Sequence, residues 1–216
     1  MGVPRDISTS HILSVAERVF GERGYAGASM AEIARVAQLP KANIHYYFGT
    51  KEILYQAVLE NTLTDWLADA DRWITPAHAP RAGLRGYIAA KLAFSREHPD
   101  ASRLFAHEIL EGGTQIRTYL ETTLRSHVQA IGQTLEEWSR SGLLPQVDST
   151  HFMFCLWAMT QAYADMRPQM VAVLGKPELD DGDYERGAET ILALVLGAHA
   201  ESDIEASIHV PERRAG

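Results

Sequence analysis

A single cysteine, Cys155, occurs in the 216 residues, and that excludes an intramolecular disulfide framework. Long hydrophobic runs are missing as well. The richest window, "FMFCLWAM" at 152–159, is too short to span a bilayer, and the opening "MGVPRDISTS" lacks the apolar centre of a signal peptide. A reducing cytoplasm is the expected compartment, with no membrane partner. The usual marks of catalysis are absent too: there is no glycine-rich phosphate loop, no H-E-x-x-H and no nucleophile elbow. Cys155 sits in an apolar run that disfavours its thiolate. His107 and Glu111 stand four apart, but no third metal ligand accompanies them, and a solvated helix face explains the pair. The sequence therefore predicts no enzyme, no cofactor and no metal.

What is present is a globular composition: 46% of residues are apolar and 22% charged, so a core can form. The net charge of −8 is unevenly spread. Residues 1–51 carry six Lys and Arg against four Asp and Glu, which leaves fourteen against twenty-four for the rest. A mildly basic head on an acidic body can bind nucleic acid locally where a uniformly acidic protein would repel it.

The apolar period is helical almost everywhere. Ile12, Ala16, Val19 and Phe20 make one stripe that closes on Gly24, so 7–23 reads as an amphipathic helix with a glycine stop. Ser29 and Glu32 have capping-box spacing ahead of Ile33, Ala34 and Ala37, the buried side of a helix of about two turns. Gln38 and Leu39 make the next turn. Pro40 suits the first position of a third helix, which ends at Phe48 before Gly49. Thr50 then caps a fourth helix that continues through Trp66 towards Trp73.

Two short helices around a tight turn, the second rich in polar and aromatic groups, describe a helix-turn-helix reader of DNA. Within "KANIHYYFGTKE" at 41–52, Ile44, Tyr47 and Phe48 share one side and pack inward. Lys41, Ala42, Asn43, His45 and Tyr46 then face outward or to the flank. Asn43 can bond bidentately to an adenine edge, and Ala42 can touch a thymine methyl. Lys41, His45, Tyr46 and Lys51 can donate to phosphate oxygens, and Ser29 can offer its hydroxyl and nearby N–H groups to another. The plain alternative for any one of these residues is core packing or a solvated side chain.

The stretch "AERVFGERGYAGASMAEIARVAQLPKANIHYYFGTKEILY" resembles the DNA-binding domain of the TetR family of bacterial repressors. The Phe20, Gly24, Tyr25 helix end, the Ser29 start and the "YYF…TKE" exit occur together and in order. Pro40 departs from the family pattern, which commonly has a capping serine or threonine there. The phosphate contact of that hydroxyl does not carry over. "YIAAKLAFSREHPDASRLFAHEILEGG" and "SGLLPQVDSTHFMFCLWAMTQAYADM" resemble the RutR-like, pyrimidine-utilisation subgroup of the family. The resemblance implies an all-α fold of about nine helices, with a helix-turn-helix domain at 1–50 and an effector-binding and dimerisation domain at 51–216. It further implies a homodimer joined through the last two helices, a double-stranded DNA operator, and a small-molecule effector such as uracil or thymine.

Read without the family, the body suggests helices at about 80–98, 99–111, 114–140, 149–175 and 182–200, punctuated by prolines, with Pro168 interrupting its helix. Phe152 to Met166 is apolar nearly all round and needs cover on more than one side. The expected covers are a ligand pocket and a partner subunit, the latter with Ile191, Leu192, Leu194, Val195 and Leu196 in a four-helix bundle. Trp157, Gln161 and Asp165 fall on one stripe of this helix. A buried glutamine needs partners for both its carbonyl and its amide, and a planar pyrimidine offers matching groups while stacking on an indole. Lys91 and Ser95 can supply donors to a ring carbonyl, and Trp73 is a further candidate for the effector site. Ordinary structural roles compete: Gln161 satisfying a backbone group, Trp157 as core, Lys91 reaching out to water. Arg103, at a helix start, calls for a carboxylate partner. A helical protein-interaction module of another class would share this periodicity but would not shift duplex DNA.

Overall fold

A computed structural model describes residues 5–197, with side chains from residue 9 onward. Among the described residues the structure is all helical. The segments 1–4 and 198–216, including the end of the helix expected to reach residue 200, lie outside them.

The head consists of α1 (Arg5–Gly27), α2 (Met30–Val36) and α3 (Lys41–Phe48). Gly24 leaves the helical region at φ 68, so the expected glycine stop is where α1 breaks, although helical turns resume as far as Gly27. The Ser29 hydroxyl accepts from the Glu32 N–H at 3.1 Å and starts α2. Gln38 turns the chain with a φ of 56, among the described residues the only non-glycine in the left-handed region. Pro40 stands one place earlier than expected, outside α3 at φ −56 and ψ 137, with Lys41 as the first helical residue. Gly49 ends α3 at φ 68. Ile12, Val15, Ala16, Phe20, Ile33 and Ile44 form the centre of the head. A ring nitrogen of His11 meets the Ala37 carbonyl at 3.0 Å, tying α1 to the turn between α2 and α3.

α4 (Lys51–Trp73) runs from head to body. Thr50 caps it by accepting from the Ile53 N–H at 3.2 Å. Its first half buries Leu54, Tyr55, Val58 and Leu59 in the head cluster, and its last turns carry Ala70 into the body core. α5 (Pro80–Glu97), α6 (Pro99–Leu110), α8 (Arg125–Arg140), α9 (Ser149–Asp165) and α11 (Asp181–Leu196) complete the body, with the short segments α7 (Arg117–Tyr119) and α10 (Arg167–Leu174) between them. α6 also lies against α1, where the Asp100 Cβ stands 3.1 Å from the position a side chain on Gly21 would take.

Two expected long helices are broken. The one expected at 114–140 begins as α7 and widens into a π-helical turn at Leu120–Leu124 before α8 takes over. The one expected at 149–175 stops at Met166, because Pro168 lies in the first turn of α10 and cannot continue the ladder of α9. α11 starts on a full capping box between Asp180 and Asp183. Lys176 donates to both Asp183 oxygens, and the Arg186 guanidinium adds to one of them, which holds the Asp183 carboxyl far below the usual carboxylate range. Arg103 has the carboxylate partner expected of it, Asp100 one turn earlier. No helix among the described residues is long and apolar enough to cross a membrane.

Most of the apolar α11 residues expected to meet a partner subunit are internal. Ile191, Leu192, Val195 and Leu196 are buried in the chain's own core, and of the five residues expected to meet a partner only Leu194 faces out. At the C-terminal helices the exposed large apolar side chains are Phe154 and Met166 at α9, Val173 and Leu174 on α10, and Leu194 on α11. Met166, Val173 and Leu174 line an open groove of about 520 Å³ between the end of α9, α10 and α11, together with Tyr163, Met170 and Leu179.

Candidate nucleic-acid interface and ligand cavity

α3 is two-faced. Ile44 and Phe48 are buried in the head cluster, where α3 packs on α2 and α4, while Lys41, Ala42, Asn43, His45 and Tyr46 are all exposed, Tyr46 by 77%. Eight residues closed by Pro40 on one side and Gly49 on the other make a short, stiff rod. The His45 ring is fixed on it, because Nδ1 meets the Gly49 carbonyl at 2.7 Å. Nδ1 therefore carries the proton, and Nε2 donates outward only when the ring is doubly protonated. The Ser29 hydroxyl is exposed, and after accepting from Glu32 it still has its own proton to give. Lys51 is more committed: its ammonium donates to the Tyr25 carbonyl at 2.9 Å and the Ala28 carbonyl at 3.2 Å, and lies 4.4 Å from the Tyr25 ring centroid. One of its N–H groups remains for a ligand.

In the body a cavity of about 320 Å³ opens between α4, α5, α6, α8 and α9. Leu63, Trp66 and Phe105 reach it from the cluster shared with the head, and Ala70, Tyr87, Ile131 and Met153 from the body core. It thus occupies the seam between the two hydrophobic clusters. The π-helical turn contributes Leu120 and Leu124, and such turns are frequent where a helix is reshaped around a site. None of the lining residues is Asp, Glu, Lys or Arg.

Of the six side chains expected to bind an effector, Trp157 and Gln161 line this cavity. The Trp157 N–H is already spent on the Tyr87 hydroxyl at 2.9 Å, so this indole offers its face. The remaining four stand outside the lining. Lys91 does not reach out to water: it is 1% exposed, and its ammonium lies 3.6 Å from the Trp66 ring centroid. Burial lowers its pKa to about 7, against the pull of Asp69 and Asp165. The Ser95 hydroxyl donates to the Thr160 carbonyl at 3.2 Å, joining α5 to α9. Asp165 accepts from the Ser102 hydroxyl at 3.0 Å, and its partial burial raises its carboxyl above the usual range. Trp73 closes the end of α4, its ring 5.4 Å from that of His78 and pressed onto Gly86.

Sequence reasoning missed Trp66, Tyr87 and His127, which also line the cavity. Trp66 and Tyr87 carry no polar period of their own and read as core. His127 leaves a trace, since Leu120, Leu124, His127 and Ile131 form one helical stripe with a single imidazole in an apolar row.

Residues 12–58 match the family described as bacterial regulatory proteins, tetR family, and residues 59–201 match YcdC-like protein, C-terminal region. The HTH-type transcriptional regulator RutR of Escherichia coli O157:H7 is 37% identical over 185 residues, covering 86% of this chain and 87% of that protein. The HTH-type transcriptional regulator BetI of Burkholderia thailandensis is 32% identical over 87 residues, covering 40% of this chain and 45% of that protein. Among solved structures, AibR in complex with isovaleryl coenzyme A and operator DNA superposes with a TM-score of 0.68 at 20% identity, covering 88% of this chain and 98% of that one. PfmR, a TetR family transcriptional regulator from Thermus thermophilus, also gives 0.68, at 21% identity, covering 86% and 96%.

Proposed function

The chain belongs to the TetR family of bacterial regulatory proteins and is a RutR-like transcriptional regulator, and on that premise we propose that it is a dimeric repressor released from its operator by a small metabolite. The observation that carries the proposal is the pairing of an exposed polar face on α3 with a buried cavity on the seam between head and body. Asn43 and Ala42 read base edges in the major groove, while Lys41, Tyr46, Ser29, the third N–H of Lys51 and a protonated His45 hold phosphates. Two heads on one dimer enter successive major grooves of a near-palindromic site. The outward apolar residues of α9, α10 and α11 support an interface between two copies formed through the C-terminal helices.

The effector enters beside Trp157 and Gln161, with uracil and thymine as the first candidates, since RutR regulators are the similar proteins over most of the chain. α4 and α6 couple the two sites. Leu63, Trp66 and Phe105 touch the cavity, while Leu54 and Tyr55 on α4 belong to the head cluster and α6 lies against α1. A ligand that wedges the seam favours one arrangement of these helices, and it acts only by its preference for that arrangement over the DNA-bound one. A coupling of about 1–3 kcal/mol changes operator affinity some 5–150-fold. A cytoplasmic location accords with this role. The test is a duplex-binding titration with and without uracil and thymine: the proposal expects weaker binding with ligand, and affinity unchanged by either compound counts against a pyrimidine effector.

A further inference from the structure

We infer that Glu108 is the positioning residue that couples the cavity to the head: its carboxylate joins the link between α6 and α8, which forms one wall of the cavity, to Tyr55 at the root of α4. The inference rests on the reading of the chain as a ligand-released DNA binder and names the contact through which release is transmitted.

Glu108 is 3% exposed and forms no ion pair among the described residues. A carboxylate buried in this way is costly unless it is hydrogen-bonded, and an apolar side chain of similar size would serve a core better. Its two partners are therefore informative. Oε1 accepts from the Gln115 N–H at 2.9 Å, in the link that follows α6. The Tyr55 hydroxyl donates to the same carboxylate, and burial first, then the Glu108 charge, push that hydroxyl well above the usual phenol range.

Each partner leads to one of the two sites. Beyond Gln115 the link carries Leu120 and Leu124 into the cavity wall, next to Phe105 and Ile109 from α6. Ile116, 2% exposed, is meanwhile inserted in the head cluster. On the other side the Tyr55 ring lies 4.8 Å from that of Tyr25 and 5.0 Å from that of Phe20. Tyr25 in turn receives the Lys51 ammonium on its carbonyl and over its ring. An unbroken run of contacts thus leads from the cavity wall through Gln115, Glu108, Tyr55 and Tyr25 to Lys51, beside the end of the recognition helix.

The π-helical turn at Leu120–Leu124 supplies a second arrangement for the link. The Arg125 N–H reaches back to the Leu120 carbonyl, one residue further than in an α-helix. Closing that turn to α shifts the chain on one side of it by about one residue, ~1.5 Å along the axis and roughly 100° around it. α8 is the anchored side, with Ile131, Leu135 and Trp138 in the body core, so the shift falls on the link. Gly112 and Gly113, at φ 103 and 63, give that segment its freedom. Movement of Gln115 then reaches Tyr55 through Glu108.

The experiment is a double-mutant cycle in duplex affinity on the full chain, with a duplex enriched by the wild type from a random pool as the probe and no effector added. Leu124→Trp presses on the wall from inside the cavity and should weaken duplex binding about fivefold or more. In a Tyr55→Phe background, which keeps the ring and removes only the hydroxyl, the same substitution should weaken binding by about twofold at most, and so it should with Glu108→Leu. Melting temperatures establish that each variant is folded. A merely structural role for Glu108 and Tyr55 would lower stability but leave the effect of Leu124→Trp equal in every background. That equality, or binding by Leu124→Trp as tight as the wild type's or tighter, overturns the inference and leaves the regulator reading standing. Failure of the wild type to bind any duplex overturns that reading, and the inference with it. If Glu108→Leu does not fold, Tyr55→Phe decides, and Leu124→Phe takes the place of Leu124→Trp if that variant does not fold.

Discussion

Lys51 Nζ donates to the Tyr25 carbonyl at 2.9 Å, so the first residue of α4 is bolted to the end of α1. With the Ala28 carbonyl as a second acceptor, one side chain closes the peptide that leads from α1 into α2. The head is held together at the point where the recognition helix hands over to the body.

Replacing that strut should show first in stability. Lys51→Met removes two charge-assisted hydrogen bonds from a half-buried site, and a loss of about 1–3 kcal/mol is expected in urea denaturation. Duplex binding should weaken alike for all sequences. Lys41→Ala should also weaken all sequences, flattening the salt dependence by about one phosphate contact, yet leave stability almost untouched. Equal stability of the two variants would show that Lys51 is not a strut.

Trp73 and Gly86 make a second test. A Cβ on Gly86 would stand 2.2 Å from the Trp73 ring, and no small adjustment relieves that contact. Gly86→Ala should cost about 1–3 kcal/mol through overpacking. In a Trp73→Leu background the same substitution should cost clearly less, so the double-mutant cycle reads the contact directly. Additive losses would contradict the packing described.

Lys91 yields a prediction in pH. Its pKa falls from 10.5 to about 7 on folding because burial disfavours the ammonium. Between those values the unfolded chain binds the proton and the folded chain does not, so this residue's burden on stability grows as pH falls from 10.5 towards 7 and is lifted above it. Lys91→Met removes the burden. The variant should be more stable than the wild type at pH 7, by about 1–4 kcal/mol, and the gap should close as pH rises towards 10.5. A gap that widens with pH would reverse the sign and refute the assignment.

The Asp183 carboxyl gives the opposite pH signature. Its folded pKa lies below the ordinary 3.8, held there first by Lys176 and then by the Asp180 N–H. The stability it provides is fully present above 3.8 and disappears as pH falls through the lower folded value. Asp183→Asn should therefore lower the melting temperature at about pH 6 and converge on the wild type in strong acid. A constant difference at every pH would mean that its hydrogen bonds do not depend on its charge.

The head was almost fully legible in the sequence because its signals are local. Ser29, Gly24, Gly49 and Thr50 act through their own backbone, and the i, i+4 stripe around Ile12 has one core to face. The outward set on α3 followed from the inward one. The body was legible as helices but less so as a site. Nothing in the spacing of Lys91 and Ser95 distinguishes a helix face turned to a cavity from one turned to a neighbouring helix, and both are buried against α4 or α9 instead. Ile191 and Leu192 suffered the same ambiguity, since apolar residues that cover the chain's own core look like those that meet a partner. Trp66 was hidden because an indole in an apolar stripe reads as packing, and its unpaired N–H exists only in three dimensions.

The central claim, that the exposed face of α3 reads duplex sequence, is tested most directly by selecting binding sites from a random duplex pool with the wild type and with Asn43→Ala. The wild type should enrich a near-palindrome, and Asn43→Ala should enrich the same site with preference lost at one base pair in each half, at a cost of about 1–3 kcal/mol for the original sequence. Enrichment of no common sequence by the wild type, or of an identical sequence with undiminished preference by the variant, would contradict the account.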